Sequence, residues 1–352
     1  DYAVTGVQTC ALPIWFENND LGFQYFADRI NSHLVLGYRW FEPDNFFRSK
    51  NIYTSHSRSY DFEGNIINSF LWLRTNFQFL NYWGFGFGGN YNFETINKFA
   101  TRGGPLVISP ERIFLNLDGY TDSRKKIVGN SEISYSSDRN GGYFYSLELS
   151  LDWRPLPQLN VNVGPSYDIN RVTEQWVGKF SDNFALNTFK NRYVFAKLDH
   201  TSLAGNIRLD WTFTPQLSLQ LFLQPLFSVG SYSNFKELAK PKSNEYLVYG
   251  RDNSSTINYN ESTKEYTVEP DGQGAASSFI IENPDFNFKS LRANAVLRWE
   301  FKPGSTLFFV WTQSRTNPDH PSDFSFERDF RSLINSESDN IFMIKFTYWF
   351  DY

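Results

Sequence analysis

The chain has 352 residues, 19% of them aromatic, and yet its mean hydropathy is only -0.46. No stretch reaches the roughly 20 apolar residues of a transmembrane helix, which excludes a helical membrane protein but not a β-barrel, whose strands need about 9–11 residues. The net charge is -5 without a block of basic residues, so nucleic acid is not expected as a partner. Cys10 is the only cysteine, which excludes an internal disulfide and a thiolate metal cluster.

The first residues read as foreign to the rest of the chain. Residues 4–14 are VTGVQTCALPI, which resembles the translation of a sequencing-library adapter. We therefore interpret residues 1–14 as an artefact and leave them out of the fold prediction. The natural chain is expected to start near Trp15, inside a gene, so that an upstream region and N-terminal strands are expected to be missing.

Apolar and polar residues alternate with a period of two along much of the chain, which is typical of β-strands with one apolar face. In the segment 147–153 every odd position is Leu or Trp, and every even position is polar. The last segment, Ile341–Phe350, also alternates and ends on an aromatic residue. The pattern predicts about sixteen strands, at 21–28, 32–41, 47–60, 65–80, 84–93, 110–121, 126–137, 142–153, 158–170, 173–181, 191–199, 204–214, 216–232, 288–301, 305–315 and 340–350.

Two kinds of connection alternate between these strands. Short connections, several with Pro or Gly, are predicted at 42–45, 81–84, 122–125, 154–158, 214–216 and 302–305. Longer ones are predicted at 95–110, 233–287 and 316–340, and 233–287 is a large polar outside loop. Short turns on one side and long loops on the other are typical of outer-membrane barrels. The fold class is therefore predicted to be all-β, an antiparallel transmembrane β-barrel formed by residues 15–352.

A soluble β-sandwich or solenoid is the alternative fold, because its strands alternate as well. Predicted strands of 12 or more residues favour the barrel, since strands of globular proteins are usually about 5–6 residues long. Aromatic residues also collect at predicted strand ends, as they do at the two interfaces of a bilayer. The predicted membrane-interface aromatics are Trp83, Trp153, Trp299, Tyr348 and Trp349.

Charged residues at the polar positions are predicted to point into the barrel, because Arg or Lys facing lipid at the midplane costs about 2–4 kcal/mol. Mixed signs could neutralise one another in a plug of side chains, or they could line a polar conduit or binding cavity. A sixteen-stranded barrel is wide enough for an aqueous channel. The predicted lumen-facing residues are Arg74, Glu148, Asp152, Arg208, Asp210, Arg292, Arg298, Glu300 and Lys345.

Motifs that carry chemistry are weak in this chain, and no catalytic residue is predicted. Gly84–Gly89 reads GFGFGG but lacks the Lys and the helix of a phosphate loop, so we interpret it as a strand with small residues inside and aromatic residues outside. None of the four histidines has metal-ligand spacing, so neither a metal nor a cofactor is expected. His200 lies beside Thr201 and Ser202, where a turn explains the grouping better than a catalytic dyad.

Long segments of the C-terminal part carry a family resemblance. They read LSLQLFLQPLFSVGSYSNFKELAKP (Leu217–Pro241), PDFNFKSLRANAVLRWEFKPGSTLFFVWTQSR (Pro284–Arg315) and NIFMIKFTYWF (Asn340–Phe350), with WRPLPQLNVNVGPSY (Trp153–Tyr167) and NRYVFAKLD (Asn191–Asp199) before them. From about residue 142 to 350 the chain resembles the bacterial outer-membrane barrels of domain-of-unknown-function family 5916. The resemblance implies the barrel fold, an outer-membrane location and an upstream carbohydrate-binding module of the family-9 type, and it implies no reaction.

Three functions follow as hypotheses. The leading one is an outer-membrane barrel that anchors the upstream module and passes or binds a small polar or saccharide ligand. The second is a membrane-embedded hydrolase, and the third is a soluble β-rich binding protein. The expected partners are outer-membrane lipid, the barrel-assembly machinery that would recognise the C-terminal strand, and a saccharide ligand.

Overall fold

A computed structural model describes residues 28–318 and 321–350, together with the backbone of one strand at 2–12. The strands are β1 (Tyr2–Leu12), β2 (Arg29–Trp40), β3 (Phe47–Tyr60), β4 (Ile66–Phe79), β5 (Gly84–Asn92), β6 (Thr95–Asn97), β7 (Val107–Ser109), β8 (Arg112–Tyr120), β9 (Ile127–Asp138), β10 (Tyr143–Leu156), β11 (Leu159–Ser181), β12 (Asn191–Thr214), β13 (Leu217–Leu238), β14 (Tyr246–Val248), β15 (Thr256–Asn260), β16 (Glu265–Glu269), β17 (Phe279–Glu282), β18 (Phe286–Lys302), β19 (Ser305–Asn317) and β20 (Ser338–Thr347). The helical elements of this part are α1 (Phe326–Asn335) and a 3-10 turn at Leu186–Thr188. No helix within the described ranges is long and apolar enough to cross a membrane.

One antiparallel sheet dominates the fold, which confirms the predicted all-β antiparallel class. Its strands follow the order β1-β2-β3-β4-β5-β8-β9-β10-β11-β12-β13-β18-β19-β20, and β14 pairs with the end of β13. Two small sheets, β6–β7 and β15–β16–β17, lie within the longer connections. Over the described residues no pairing joins β20 to β1, so the sheet has two edges.

Two predicted strand breaks are wrong, and with them the predicted number of strands. The predicted pair 158–170 and 173–181 is the single strand β11, and the predicted pair 191–199 and 204–214 is the single strand β12. Pro165 is accommodated opposite Gly205, and the irregular stretch after Val172 is a set of register shifts within the β11–β12 pairing. Such bulges add residues to a strand without ending it.

The N-terminal predictions have different outcomes. The strand predicted at 21–28 lies, except for Asp28, outside the described residues. β1 pairs with β2 from Tyr2 opposite Arg39 to Leu12 opposite Arg29. The β1–β2 pairing uses backbone N–H and C=O groups, which every residue except proline supplies in full. Such pairing therefore does not reveal whether residues 2–12 belong to the natural protein. The interpretation of residues 1–14 as an adapter stays a prediction.

The two faces of the main sheet carry different residues. Residues opposite one another on neighbouring strands share a face, and this register places Leu117, Ile133 and Leu147 in one row, which belongs to the apolar face. Asp118 and Glu132 form a row on the opposite, polar face. Large residues of the apolar face with more than a third of their surface exposed include Leu34, Leu36, Leu71, Leu73, Phe87, Ile113, Leu115, Leu117, Ile133, Leu147, Leu149, Leu151, Trp153, Ile207, Trp211, Phe213, Trp299, Phe309, Phe342, Ile344 and Phe346.

The predicted division between short and long connections is present. Residues 41–46, 80–83, 121–126, 157–158, 215–216 and 303–304 join strands at one end, which we call the turn end. Residues 61–65, 93–111, 139–142, 182–190, 239–285 and 318–337 join them at the other end, which we call the loop end. The strands differ in length: β12 spans 24 residues, or about 79 Å at about 3.3 Å per residue, whereas β8 spans 9 residues.

The hydrophobic core lies at the loop end, on both faces of β12. Val194 and Ala196 are fully buried in a cluster with Val268 and Ile281 of the small β15–β17 sheet. On the other face of the strand, Tyr193 and Phe195 pack with Val107 and Leu238. The loop predicted at 233–287 is therefore a packed segment that contains strands of its own. The segment starts after Leu238, because β13 extends beyond the strand end predicted at residue 232.

Loops from distant strands meet at the loop end. Lys242 Nζ, beyond β13, donates to Asn65 Oδ1 in the β3–β4 connection at 3.1 Å, and Lys242 N donates to Leu106 O at 2.7 Å. Asn140 Nδ2 in the β9–β10 turn donates to Asn244 Oδ1 at 3.0 Å. β4 and β13 are seven strand positions apart, which on a flat sheet is about 34 Å at about 4.8 Å per strand. The sheet is therefore curved, and loops from distant strands meet across this end.

At the turn end, side chains of Asp residues fix the turns. Asp44 accepts the backbone N–H groups of Phe46 and Phe47 at 2.9 and 2.7 Å and an ion pair from Lys50 at 2.5 Å. The bond from Lys50, followed by the two backbone donors, lowers the pKa of Asp44 from 3.8 to about 2. A carboxylate with a lowered pKa stabilises the fold above its unfolded pKa, and that contribution disappears as the pH falls through the folded pKa.

We therefore expect Asp44→Asn to lower the urea midpoint of the refolded protein at pH 7, and the deficit to disappear as the pH falls from about 4 to about 2. Glu42→Gln is the matched control in the same turn, because Glu42 is exposed and accepts no hydrogen bond from the described residues. A deficit for Asp44→Asn that persists unchanged at pH 2 would contradict this account.

Candidate functional site

The polar face brings the nine predicted lumen residues onto one surface. Arg74 on β4 lies opposite Gly88 on β5, which lies opposite Asn116 on β8. Asp152 on β10 lies opposite Asn162 on β11, which lies opposite Arg208 on β12. The remaining members follow on the same face of their strands. These are Glu148, Asp210, Arg292, Arg298, Glu300 and Lys345.

A cavity on the polar face surrounds Arg74. It has a volume of about 430 Å³ and opens to solvent. Arg74 Nη2 donates to Asp118, and Arg74 Nε donates to Asn76 Oδ1 at 2.9 Å. The cavity is lined by Arg74, Asn116, Asp118, Gly119, Tyr120, Asn130, Ser131, Glu132, Glu148, Leu149 and Ser150.

Glycines of β5 make room for this arrangement. A Cβ on Gly86 would lie 2.3 Å from Arg74 Nη2, and a Cβ on Gly84 would lie 2.3 Å from the ring of Tyr120. Gly84, Gly86 and Gly88 of the string GFGFGG thus lie on the polar face and Phe85 and Phe87 on the apolar face, as interpreted from the sequence, whereas Gly89 lies opposite Leu73 on the apolar face. Its specific role is to let two large polar side chains lie flat against the strand.

We expect Gly86→Ala to push the Arg74 guanidinium away from Asp118 and to lower the free energy of unfolding by about 1–3 kcal/mol, the usual cost of overpacking. Gly119→Ala on the neighbouring strand is the control, because the nearest atom to its Cβ, Ser131 Oγ, lies 3.5 Å away. Urea titration of both refolded variants measures the difference. Equal midpoints for the two variants would show that Arg74 does not occupy the space above Gly86.

Three carboxylates form the row next to that of Arg74 on the polar face. Glu132 lies directly opposite Asp118 on one side and Glu148 on the other. Like charges directly opposite one another destabilise a sheet. Arg74 neutralises only the first of the three, so this part of the polar face carries an excess of negative charge.

A second cavity of about 220 Å³ lies further along the polar face, beside Arg208 and Asp210. Asp210 Oδ1 accepts a hydrogen bond from Gln220 Nε2 at 3.1 Å, and the Arg208 guanidinium carbon lies 5.5 Å from the centre of the Phe222 ring. Gln220 and Phe222 also line this cavity. It therefore offers donors, an acceptor and an aromatic ring.

The other predicted lumen residues are separated along the face. Arg298 Nη2 pairs with Glu300 at 2.8 Å on the same strand, and Lys345 Nζ lies 5.8 Å from the Phe308 ring. Asp152 Oδ1 accepts from Asn162 Nδ2 at 3.0 Å. The nine residues thus form several local groups of mixed sign, and the sequence alone missed Asp118 and Glu132, the closest partners of the first group. The alternation of Ile113, Leu115 and Leu117 on β8 carried a signal for Asp118.

All five predicted interface aromatics lie at the turn end. Trp83 precedes β5, Trp153 lies near the end of β10, and Trp299 lies near the end of β18, with exposed fractions of 46–52%. Tyr348 and Trp349 follow β20 and are exposed as well. The five aromatic residues thus share one end of the sheet.

A buried ion network lies at the loop end, where the sequence predicted turns and loop. Arg192 Nε pairs with Asp182 at 2.6 Å and its Nη1 pairs with Glu237 at 2.5 Å, and all three side chains are at most 8% exposed. Lys236 Nζ pairs with Glu174 at 2.9 Å nearby. Removing one partner of a buried pair costs about 3–5 kcal/mol, so this network fixes the β11–β12 connection to β13.

His200 lies in the middle of β12, so its assignment to a turn is wrong. Its Nε2 lies 2.8 Å from Ser228 Oγ on β13, and the neighbouring Ser202 is not its partner. Asp168 of β11 pairs with Ser202 in the register, which places it diagonally from His200 on the same face. No hydrogen bond joins Asp168 to His200 among the residues that the structure describes.

Metal-binding geometry is not formed within the described ranges, where no three His, Cys, Asp or Glu side chains come together. His320 lies outside them. Tyr249, in the connection from β13 to β18 that was predicted as an outside loop, is buried in the core at 5% exposure and cannot offer its ring to a ligand, whereas Tyr259 is 44% exposed.

Comparison with known proteins identifies one family. The model of the family described as Domain of unknown function (DUF5916) matches residues 8–261 and 241–352. No curated protein and no solved structure matches this chain. Because the family model covers nearly the whole chain, including both cavities and the loop end, the chain belongs to the DUF5916 family.

Proposed function

We propose that this chain is an outer-membrane β-barrel whose apolar face contacts lipid and whose polar face lines an interior for small polar solutes. The exposure of the apolar face carries the proposal. Ser134 and Ser146 on the polar face are 7% exposed, whereas Leu147 and Leu149 on the apolar face are 40% and 45% exposed. A sheet in water buries the opposite set, because burial of apolar surface stabilises a fold by about 25 cal/mol per Å².

A soluble binding protein is supported less well. Contiguous exposed apolar surface marks a protein or membrane interface, and on this chain it extends over consecutive strands from β2 to β20. An open sheet edge is not stable in lipid, because each unpaired backbone group costs several kcal/mol there. The proposal therefore includes closure of the sheet at its edges in the membrane.

The interior proposed here suits hydroxyl-rich solutes such as saccharides. The cavity around Arg74 combines carboxylates that accept hydrogen bonds, a guanidinium that donates them, and the side chains of Asn116 and Tyr120. The loops that cross the loop end restrict entry to small molecules. The resemblance to outer-membrane barrels adds a proposed anchoring role for an upstream carbohydrate-binding module.

Liposome swelling with the refolded protein tests the conduit. We expect vesicles that contain the protein to swell in solutions of small sugars, and the rate of swelling to fall as the size of the sugar increases. We expect planar bilayers with the protein to show discrete conductance steps. Vesicles with heat-denatured protein are the control. An absence of both swelling and conductance would leave the anchoring role alone.

A membrane-embedded hydrolase is the second candidate, and the contact of 2.8 Å between His200 Nε2 and Ser228 Oγ favours it. A serine nucleophile needs a base at this distance and a third group that orients the base. Covalent labelling by a fluorophosphonate probe, lost in Ser228→Ala and retained in Ser202→Ala, would support this candidate. Unlabelled wild-type protein would reject it.

A further inference from the structure

The helix α1 carries an apolar stripe that the packing of the protein leaves exposed. Phe326, Phe330 and Ile334 are 52%, 46% and 43% exposed. They follow one another at intervals of four residues and therefore lie along one side of the helix. Asp329 and Leu333, each 1% exposed, form the side that packs against the protein.

Contacts place this helix on the apolar face of the main sheet. Phe326 packs edge-on against Phe227 at 5.8 Å, and Phe227 shares a row with Leu203, a residue of the apolar face. Asn287 Nδ2 donates to Asp329 Oδ1 at 3.2 Å. Arg315, which lies opposite Leu291, donates to the carbonyl groups at the end of the helix.

Asp329 is the anchor of the helix. It also accepts the Ser325 N–H at 3.0 Å and Arg328 Nε at 3.0 Å. Burial alone would raise the pKa of Asp329, but these bonds and the one from Asn287 outweigh burial and lower it. The carboxylate therefore stays charged and keeps the helix fixed against β18.

The stripe lies between the anchored side and a charged side. Glu327 and Arg331 pair with each other at 2.6 Å, and their side chains are 76% and 73% exposed. Along β13, the exposed Leu223 lies four residues from Phe227 toward the turn end, or about 14 Å. The helix thus lies at the edge of the exposed apolar surface, with an apolar flank and a charged flank, which is the arrangement of interfacial helices.

We propose that α1 is an interfacial helix that inserts Phe326, Phe330 and Ile334 among the acyl chains of the lipid leaflet at the loop end. The occupant of the stripe is a lipid surface, because the stripe continues the apolar face that the proposed function assigns to lipid, and the inference rests on that function. The helix then marks the depth at which the barrel emerges from the membrane. It also covers Phe227, Lys289 and Asn287, each at most 3% exposed, at this boundary.

Spin-label accessibility tests the inference in the refolded protein in phosphatidylcholine vesicles. In a Cys10→Ser background, nitroxides are placed by Phe330→Cys on the stripe, by Arg331→Cys on the charged flank as the matched control, and by Leu149→Cys in the centre of the apolar face. We expect the ratio of collisions with oxygen to collisions with a water-soluble nickel complex to be several-fold higher at 330 than at 331. The label at 330 should report a depth of about 5–10 Å below the headgroups.

The three labels separate the two proposals. If 149 reports lipid while 330 collides with nickel as often as 331 does, the inference fails and the membrane assignment stands. If 149 itself reports water, both fail. A label at 330 that neither oxygen nor nickel reaches would show a covering protein partner, which would also overturn the lipid assignment. Ile334→Cys repeats the measurement at a second position of the stripe.

Discussion

Arginine in place of Leu149 should lower the free energy of unfolding in a bilayer by about 2–4 kcal/mol, the cost of a cation on the lipid side near the midplane. Leu149 lies in the middle of the exposed apolar row of β10, between Leu147 and Leu151. In water the same change at a half-exposed position would alter stability by about 0.5 kcal/mol or less. The size of the effect therefore distinguishes a lipid-facing strand from a solvated one.

Ser150→Arg is the matched control for Leu149→Arg. It introduces the same side chain one residue away, on the polar face, in the cavity that also contains Glu148. Its main loss is the hydrogen bond that Asn162 Nδ2 donates to Ser150 Oγ at 3.2 Å, worth about 1 kcal/mol. Urea unfolding in vesicles measures both variants, and equal losses at 149 and 150 would contradict the assignment of the two faces.

The second large effect is expected at Arg74. Arg74→Gln removes the one cation among the described residues that line the cavity with Asp118, Glu132 and Glu148. The remaining charge attracts cations and repels anions. We expect the permeability ratio of potassium to chloride to rise about fivefold, which corresponds to about 1 kcal/mol at 25 °C after screening by solvent and salt.

Two further variants define this effect. Arg74→Gln combined with Asp118→Asn restores the local charge and should return the selectivity to that of the wild type. Lys179→Gln removes the same charge at an exposed position of β11 near the loop end and should leave selectivity unchanged. A shift of the same size in Arg74→Gln and Lys179→Gln would show that the solute path avoids Arg74.

Period-two alternation predicted the two faces of the sheet, because successive side chains of a strand point to opposite faces and the two faces here have different surroundings. On β20 it placed Phe342, Ile344 and Phe346 on one face and Lys345 on the other, and the register with β19 places them so. Strand pairing runs through His200 without interruption, although residues 199–202 are all polar. The break predicted there followed residue types, since polar residues in sequence suggested a turn.

Long-range contacts were beyond sequence reasoning. The network joins Asp182 of the β11–β12 connection with Arg192 of β12 and Glu237 of β13, and charged residues of this kind, read singly, suggest a solvated position. The partners of Arg74 depend on a register that turns and bulges set together. The sequence contains part of this information. Once β4, β5 and β8 are known to be adjacent, the alternation of apolar and polar residues places Asp118 on the same face as Arg74.

The contact between the apolar face and lipid is the central claim, and a nitroxide scan of residues 147–153 in vesicles tests it most directly. Single cysteines in the Cys10→Ser background report collisions with oxygen and with a water-soluble nickel complex. We predict that oxygen collisions dominate at 147, 149, 151 and 153 and nickel collisions at 148, 150 and 152, which gives a period of two along β10. Nickel collisions as frequent at the odd positions as at the even ones would contradict the claim, because the exposed leucines would then face water.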